Sequence, residues 1–152
     1  LSLYLAELRA APAWLTATFA AGVVVEVLVM TRVGRWTDTH GRRPALLLSF
    51  LLLPLRLLLY IPATLPIHVL LVQTLHGLNF GIVGTIAVVF VNDTASDETR
   101  GSAQAELAGA IGLAGAIAPL VCGYLVERFG IDTMFAAMSG VAALAAALFA
   151  WF

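Results

Sequence analysis

The sequence predicts an all-α fold, a polytopic bundle of membrane-spanning helices, and three observations carry that prediction. Hydrophobic residues make up 61% of the chain and charged residues 11%, with a mean hydropathy of +0.99. An ordinary soluble domain is about 45–50% apolar and 25% charged, so a soluble fold of this length could not hide so much apolar surface. The apolar residues fall in successive runs of roughly 20, enough to cross a ~30 Å hydrocarbon core as helix, and such runs are too many and too long for a signal peptide. Positive charge concentrates in one short stretch, Gly34–Pro44 (G-R-W-T-D-T-H-G-R-R-P), which together with Arg32 sets four arginines between two apolar runs.

Other classes find little support. The formal net charge is -1, and the arginines are split among turns without forming a basic face, so no nucleic-acid partner is expected. His40, His68 and His76 stand far apart with no second ligand at helical spacing, so neither a metal nor a cofactor is expected. The single cysteine, Cys122, cannot form an internal disulfide. No nucleophile stands with a base at plausible spacing, and no catalytic residues are assigned.

The elements follow in order. Residues 1–8 are apolar but too short to span and read as the exit of a preceding helix, with a turn at Arg9–Pro12. A first full helix is expected from about Ala13 to Val33, carrying Glu26. Gly34–Pro44 then reads as a helix-to-helix turn in which Gly41 takes the positive φ of a tight reversal and Pro44 suits the first turn of the next helix. That second helix runs to about Ile61 and contains Pro54 and Arg56.

Pro62–Pro66 closes it and opens a third, from about Ile67 to Val91, whose polar residues are Gln73, His76 and Asn79, interleaved with Gly77, Gly81 and Gly84. Asn92–Arg100 is the one hydrophilic loop, with Ser96 and Asp97 as expected N-caps and Asp93, Asp97 and Glu98 as a solvated face. A fourth helix, about Gly101 to Glu127, carries Gly109, Gly112, Gly115, Pro119 and Gly123. Small residues at this density let helix backbones approach closely in lipid, so this helix is expected to pack hard against its neighbours. A fifth begins near Asp132 and places Trp151 at an interface. Residues 1–152 thus read as a single transmembrane domain. Alternate turns put Arg32, Arg35, Arg42, Arg43 and Arg100 on one side and Arg9 and Arg128 on the other, which by the positive-inside rule makes the first group cytoplasmic.

Several buried polar groups are candidates for function. Glu26 lies roughly 10 Å from the cytoplasmic end of its expected helix, too deep to reach water easily; it should face a cavity, pair with a cation or be protonated, and is the proton-coupling candidate. Arg56, ~9 Å from the outer end, is within snorkelling range and is read as an interfacial or structural group, with Glu26 a possible partner, ahead of a role in binding a substrate carboxylate. His76 sits about 15 Å from either face, with Gln73 and Phe80 on its side and Asn79 a turn on. Donors, acceptors and an aromatic wall together are what a midplane solute cavity requires; the alternative is that these polar groups hydrogen-bond neighbouring helices. Gly77 and Gly81 form a small-xxx-small packing pair.

The spacing of Gly34, Asp38, Gly41, Arg42 and Arg43, followed by Pro44, resembles the cytoplasmic signature loop of the major facilitator superfamily, found between the second and third helices of each six-helix half. Thr39 or His40 replaces the family's basic residue after the acid. Ala118-Pro-Leu-Val-Cys-Gly123 is similar to the family's fifth-helix motif, with alanine and cysteine for two glycines. Glu26, Arg56 and the Gln73–Gly81 run resemble the C-terminal half of permeases like the phenylpropionate and nucleoside proton symporters.

This resemblance implies one half of a major facilitator fold: about five full helices, the eighth to twelfth of twelve, plus the end of the seventh. The signature loop would act as a conformational latch, with the acid docking near a helix N-terminus in one access state. A small organic solute would move with a proton by alternating access between this half and the missing N-terminal half, in the lipid bilayer of a bacterial cytoplasmic membrane. The rival readings are a drug or sugar efflux antiporter, a non-transporting half-transporter that packs against a partner, and an intramembrane enzyme using His76.

Overall fold

The computed structural model describes residues 2–151, and every described element is helical: α1 (Ser2–Glu7), α2 (Pro12–His40), α3 (Arg42–Tyr60), α4 (Pro66–Thr94), α5 (Arg100–Phe129) and α6 (Ile131–Trp151). The helices α2 to α6 are each long and apolar enough to cross a membrane. In lipid a spanning segment must satisfy its own backbone, which is why apolar runs of this length close into helices.

The helices run further than the hydropathy suggests at one end. At 29 residues each, α2 and α4 measure about 43 Å at 1.5 Å per residue, well beyond a ~30 Å hydrocarbon core. Residues 34–40, expected as a turn, are the last turns of α2, and Asn92–Thr94 are the end of α4. Polar residues mark where a helix leaves the lipid, and here the helix continues into water. The reversal narrows to Gly41, which has the expected positive φ of 89° and donates its N–H to the Thr37 carbonyl at 2.8 Å.

Nor do Ser96 and Asp97 cap α5, whose N-cap is Thr99 with no side-chain cap hydrogen bond. The Ser96 carbonyl accepts from the Thr99 and Arg100 N–H groups at 3.1 and 2.9 Å, closing a turn ahead of the helix, and Asp97 pairs with Arg100 at 2.8 Å.

The central helix is α4. Eight of its residues are buried, whereas α5 buries none, which makes α4 the core and α5 the periphery. Helix α2 crosses one side of α4, α3 packs on another, α6 packs on α3, and α5 touches α4 and α6. Two apolar clusters hold the ends. At the basic end, where Arg32, Arg35, Arg42 and Arg43 lie, Val33, Ala45, Leu46, Ile82 and Ile86 pack together. At the opposite end Tyr4, Leu5, Tyr60, Val69, Val72 and Phe135 do so, with the Tyr4 hydroxyl set between the Tyr60 and Ala63 carbonyls at 2.6 and 2.7 Å. Between the clusters lie the polar side chains.

The expected close packing of α5 is absent within this chain. A Cβ built on Gly109, Gly112, Gly115 or Gly123 meets nothing within 4 Å, and Pro119 is exposed. Ile111, Leu113 and Leu120 on the same helix are 61–75% exposed, an apolar surface suited to lipid or to another helix and not to water.

Candidate functional site

Toward the end of the bundle opposite the signature residues, α3 and α4 bring four polar side chains together. Tyr60 donates its hydroxyl to Gln73 Oε1 at 2.8 Å, and Arg56 donates from Nη1 to His76 Nδ1. A guanidinium carries only donors, so the His76 nitrogen facing it accepts, and the imidazole is neutral with its proton on Nε2. The ring packs on Phe80, centroids 4.2 Å apart, as its position four residues earlier on the helix requires. Phe19 of α2 and Phe135 of α6 complete the wall of a cavity of about 240 Å³, lined also by Arg56, Leu57, Tyr60, Gln73 and His76.

Arg56 takes the second of its expected roles, a pair within the bundle, and not the snorkelling one. It lies four residues before the end of α3, while His76 lies ten residues into α4, so the side chain reaches toward the middle of the bundle and away from the interface. Its partner is His76, not Glu26.

Asn79 was expected in this cluster but belongs to a different contact. Its Nδ2 donates to the Ser49 carbonyl at 2.6 Å and to Ser49 Oγ at 2.8 Å, and Ser49 Oγ donates back to the Asn79 carbonyl at 3.2 Å. Both residues are buried, Asn79 on the face of α4 that carries Ile82 and Ile86 and Ser49 on α3. The pair fastens α3 to α4. Asn79→Ala should lower thermal stability in detergent by about 1–2 kcal/mol, because Ser49 would lose its partner in a dry site, while solute affinity stays unchanged. A variant of full stability and reduced affinity would return Asn79 to the cavity.

Glu26 stands at the centre of α2, fourteen residues from either end, and is half-buried. Its backbone is pressed against α4. A Cβ on Gly77 would fall 2.9 Å from the Glu26 nitrogen and the Val25 Cβ, and would also strike the Gly22 carbonyl. One on Gly81 would fall 2.8 Å from the Val29 Cβ and 2.9 Å from the Glu26 carbonyl oxygen. The Gly77 and Gly81 pair thus admits the α2 backbone at Gly22–Glu26, and Gln73 packs over Gly22 from the turn before. No ion pair holds the Glu26 carboxylate among the described residues.

The signature residues divide between two helices and the glycine that joins them. Gly34 and Asp38 lie on the last turns of α2, both away from the core; Asp38 is exposed. Arg42 opens α3 and pairs with Asp93 at the end of α4, Nε to Oδ2 2.7 Å. Asp93, expected on a solvated face, is thus half of an inter-helix ion pair. Arg43 donates to the Ala150 carbonyl at 3.1 Å, meeting the negative end of α6. Three helix ends are tied at the basic end by two adjacent arginines.

The sequence pattern of the Major Facilitator Superfamily matches residues 3–152. Uncharacterized MFS-type transporters from two strains of Mycobacterium tuberculosis are 30% identical over 135 residues, covering 86% of this chain and 31% of theirs. The Proton-coupled folate transporter of Bos taurus is 33% identical over 121 residues, covering 76% of this chain and 26% of that protein. The chain spans less than a third of the length of these relatives. No solved structure matches it. With a family pattern over nearly its whole length, five helices able to span a bilayer and relatives named as transporters, the chain is an integral, multi-pass membrane protein that belongs to the Major Facilitator Superfamily.

Proposed function

We propose that this chain is the C-terminal half of a secondary transporter that moves a small organic solute by alternating access, coupled to protons at Glu26. The observation that carries the reading is the hydrogen-bonded set of Arg56, His76, Gln73 and Tyr60 around a cavity, set among spanning helices of a transporter family. Polar groups in such a place are costly unless they serve a path or a site. The coupling assignment draws on the position of Glu26, the carboxylate furthest from any helix end, and on the printed name of one relative, a proton-coupled transporter. The placement in a bacterial cytoplasmic membrane draws on the resemblance of the sequence motifs to bacterial-type permeases, since the chain's relatives are mycobacterial and bovine alike.

In this reading the N-terminal half of the same protein covers the open glycine-bearing helix α5, and the signature residues of the basic end latch one access state. The rival that specifically draws on α5 is a non-transporting membrane protein using that face to hold a partner. Counterflow separates the two. The full-length protein in liposomes preloaded with unlabelled solute should concentrate the labelled form of at least one aromatic acid, nucleoside or sugar. A folded, inserted protein that exchanges none of them supports the packing partner instead.

A further inference from the structure

Arg56 carries a positive charge into the bundle without an opposing one. No carboxylate lies within 4.0 Å of it among the described residues, and its hydrogen-bond partner, His76, is neutral by the geometry of the contact. Its Nε–H is buried and has no partner at all. A guanidinium within a membrane-spanning segment is costly, and the usual remedies are an acidic partner, a carbonyl or an interface within reach. Here the side chain turns inward, so the interface does not serve.

The groups beside it share one polarity. Gln73 gives its oxygen to Tyr60 and packs its amide nitrogen over Gly22, and His76 gives Nδ1 to Arg56, leaving Nε2–H. The cavity wall therefore offers a cation and a neighbouring imidazole donor, and no acid lines it. The rest of the wall is flat and apolar: Phe19, and Phe135 stacked on Tyr60 at 4.9 Å. At about 240 Å³ the space falls below the ~300–1,000 Å³ of sites for drug-sized ligands.

From the guanidinium without a countercharge and the donor left on His76 we infer that the cavity beside Arg56 and His76 binds the carboxylate of a small organic acid, with the apolar body of the acid against Phe19 and Phe135. The carboxylate supplies the missing countercharge and accepts from the guanidinium, for which its two oxygens are a geometric match. This deepens the transport reading above, and rests on it, by naming the substrate class.

The test uses the full-length protein in liposomes and a panel of small aromatic and aliphatic carboxylates, each paired with its uncharged primary amide, as competitors in counterflow. At least one acid should compete about 10- to 100-fold better than its amide, the range of a charged hydrogen-bond pair. Arg56→Gln should bring that ratio close to one, and Arg56→Lys should restore part of it. The wild-type ratio needs no variant, so the test survives an Arg56→Gln protein that does not fold.

If solutes exchange but acids and amides compete equally, or if Arg56→Gln keeps the preference, the carboxylate site is wrong while the transporter reading stands. If no solute exchanges, both fall. A lipid phosphate could supply the same countercharge, so the assay is run in phosphatidylcholine alone and with added phosphatidylglycerol. An acid preference indifferent to lipid assigns the site to the solute. Equal competition by acids and amides, with an Arg56-dependent gain of thermal stability from phosphatidylglycerol, assigns it to lipid and overturns the inference.

Discussion

Gly77→Val should prevent the protein from folding to a stable bundle. The backbones of α2 and α4 are in contact at this residue, and the atoms a new side chain would strike are the Gly22 carbonyl and the Glu26 nitrogen, which belong to a helix and cannot turn aside. Even the single methyl of Gly77→Ala has to push the helices apart. Overpacking of a fixed contact costs about 1–3 kcal/mol and sometimes more, and valine adds two further carbons to the same gap. We expect Gly77→Ala to lower the thermal midpoint in detergent measurably and Gly77→Val to give mostly aggregated material on size exclusion. The matched control is Gly140→Ala on α6, where the added carbon meets nothing within 4 Å. A Gly77→Val protein with wild-type stability would mean that α2 and α4 do not cross at these glycines.

The second large effect is on coupling. Glu26→Gln keeps the size of the side chain and most of its hydrogen bonding but holds it permanently uncharged, as a protonated glutamate would be. If Glu26 exchanges the coupling proton, the variant should still exchange solute for solute, which needs no net proton movement. It should no longer use a pH gradient. A gradient of one unit is worth about 1.4 kcal/mol per proton, so one-to-one coupling supports about tenfold accumulation. Wild type should approach that ratio and Glu26→Gln should remain near unity. Parallel loss of exchange and accumulation would point to a structural role for Glu26, whose backbone already forms part of the α2–α4 crossing.

Local features of the chain were legible where lipid and backbone chemistry act residue by residue. The five spans follow from run length, the reversal at Gly41 from its freedom to take positive φ, and the Gly77 and Gly81 contact from their spacing. What the sequence hid depends on which face meets which neighbour. Asn79 and His76 are one turn apart on α4, yet Asn79 turns to Ser49 with Ile82 and Ile86, while His76 turns to Arg56. No local signal separates two polar residues so placed. Arg56 looked like an interfacial group because depth along its own helix says nothing about a partner on the next. The ends of α2 and α4 run past the polar residues because polarity marks the end of lipid and not the end of a helix. The glycines of α5 are the opposite case: their density leads the sequence to predict close packing, yet among the described residues nothing lies within 4 Å of a Cβ built on them.

The most direct test of the whole account is accumulation of a labelled small organic acid by liposomes containing the full-length protein, driven by an imposed inward proton gradient. The account predicts uptake above the equilibrium level that rises with the gradient, collapses when a protonophore is added, and is absent in Glu26→Gln. Exchange of the same solute that is indifferent to the gradient would contradict the coupling, and a folded, inserted protein that moves no solute at all would contradict the transport function itself.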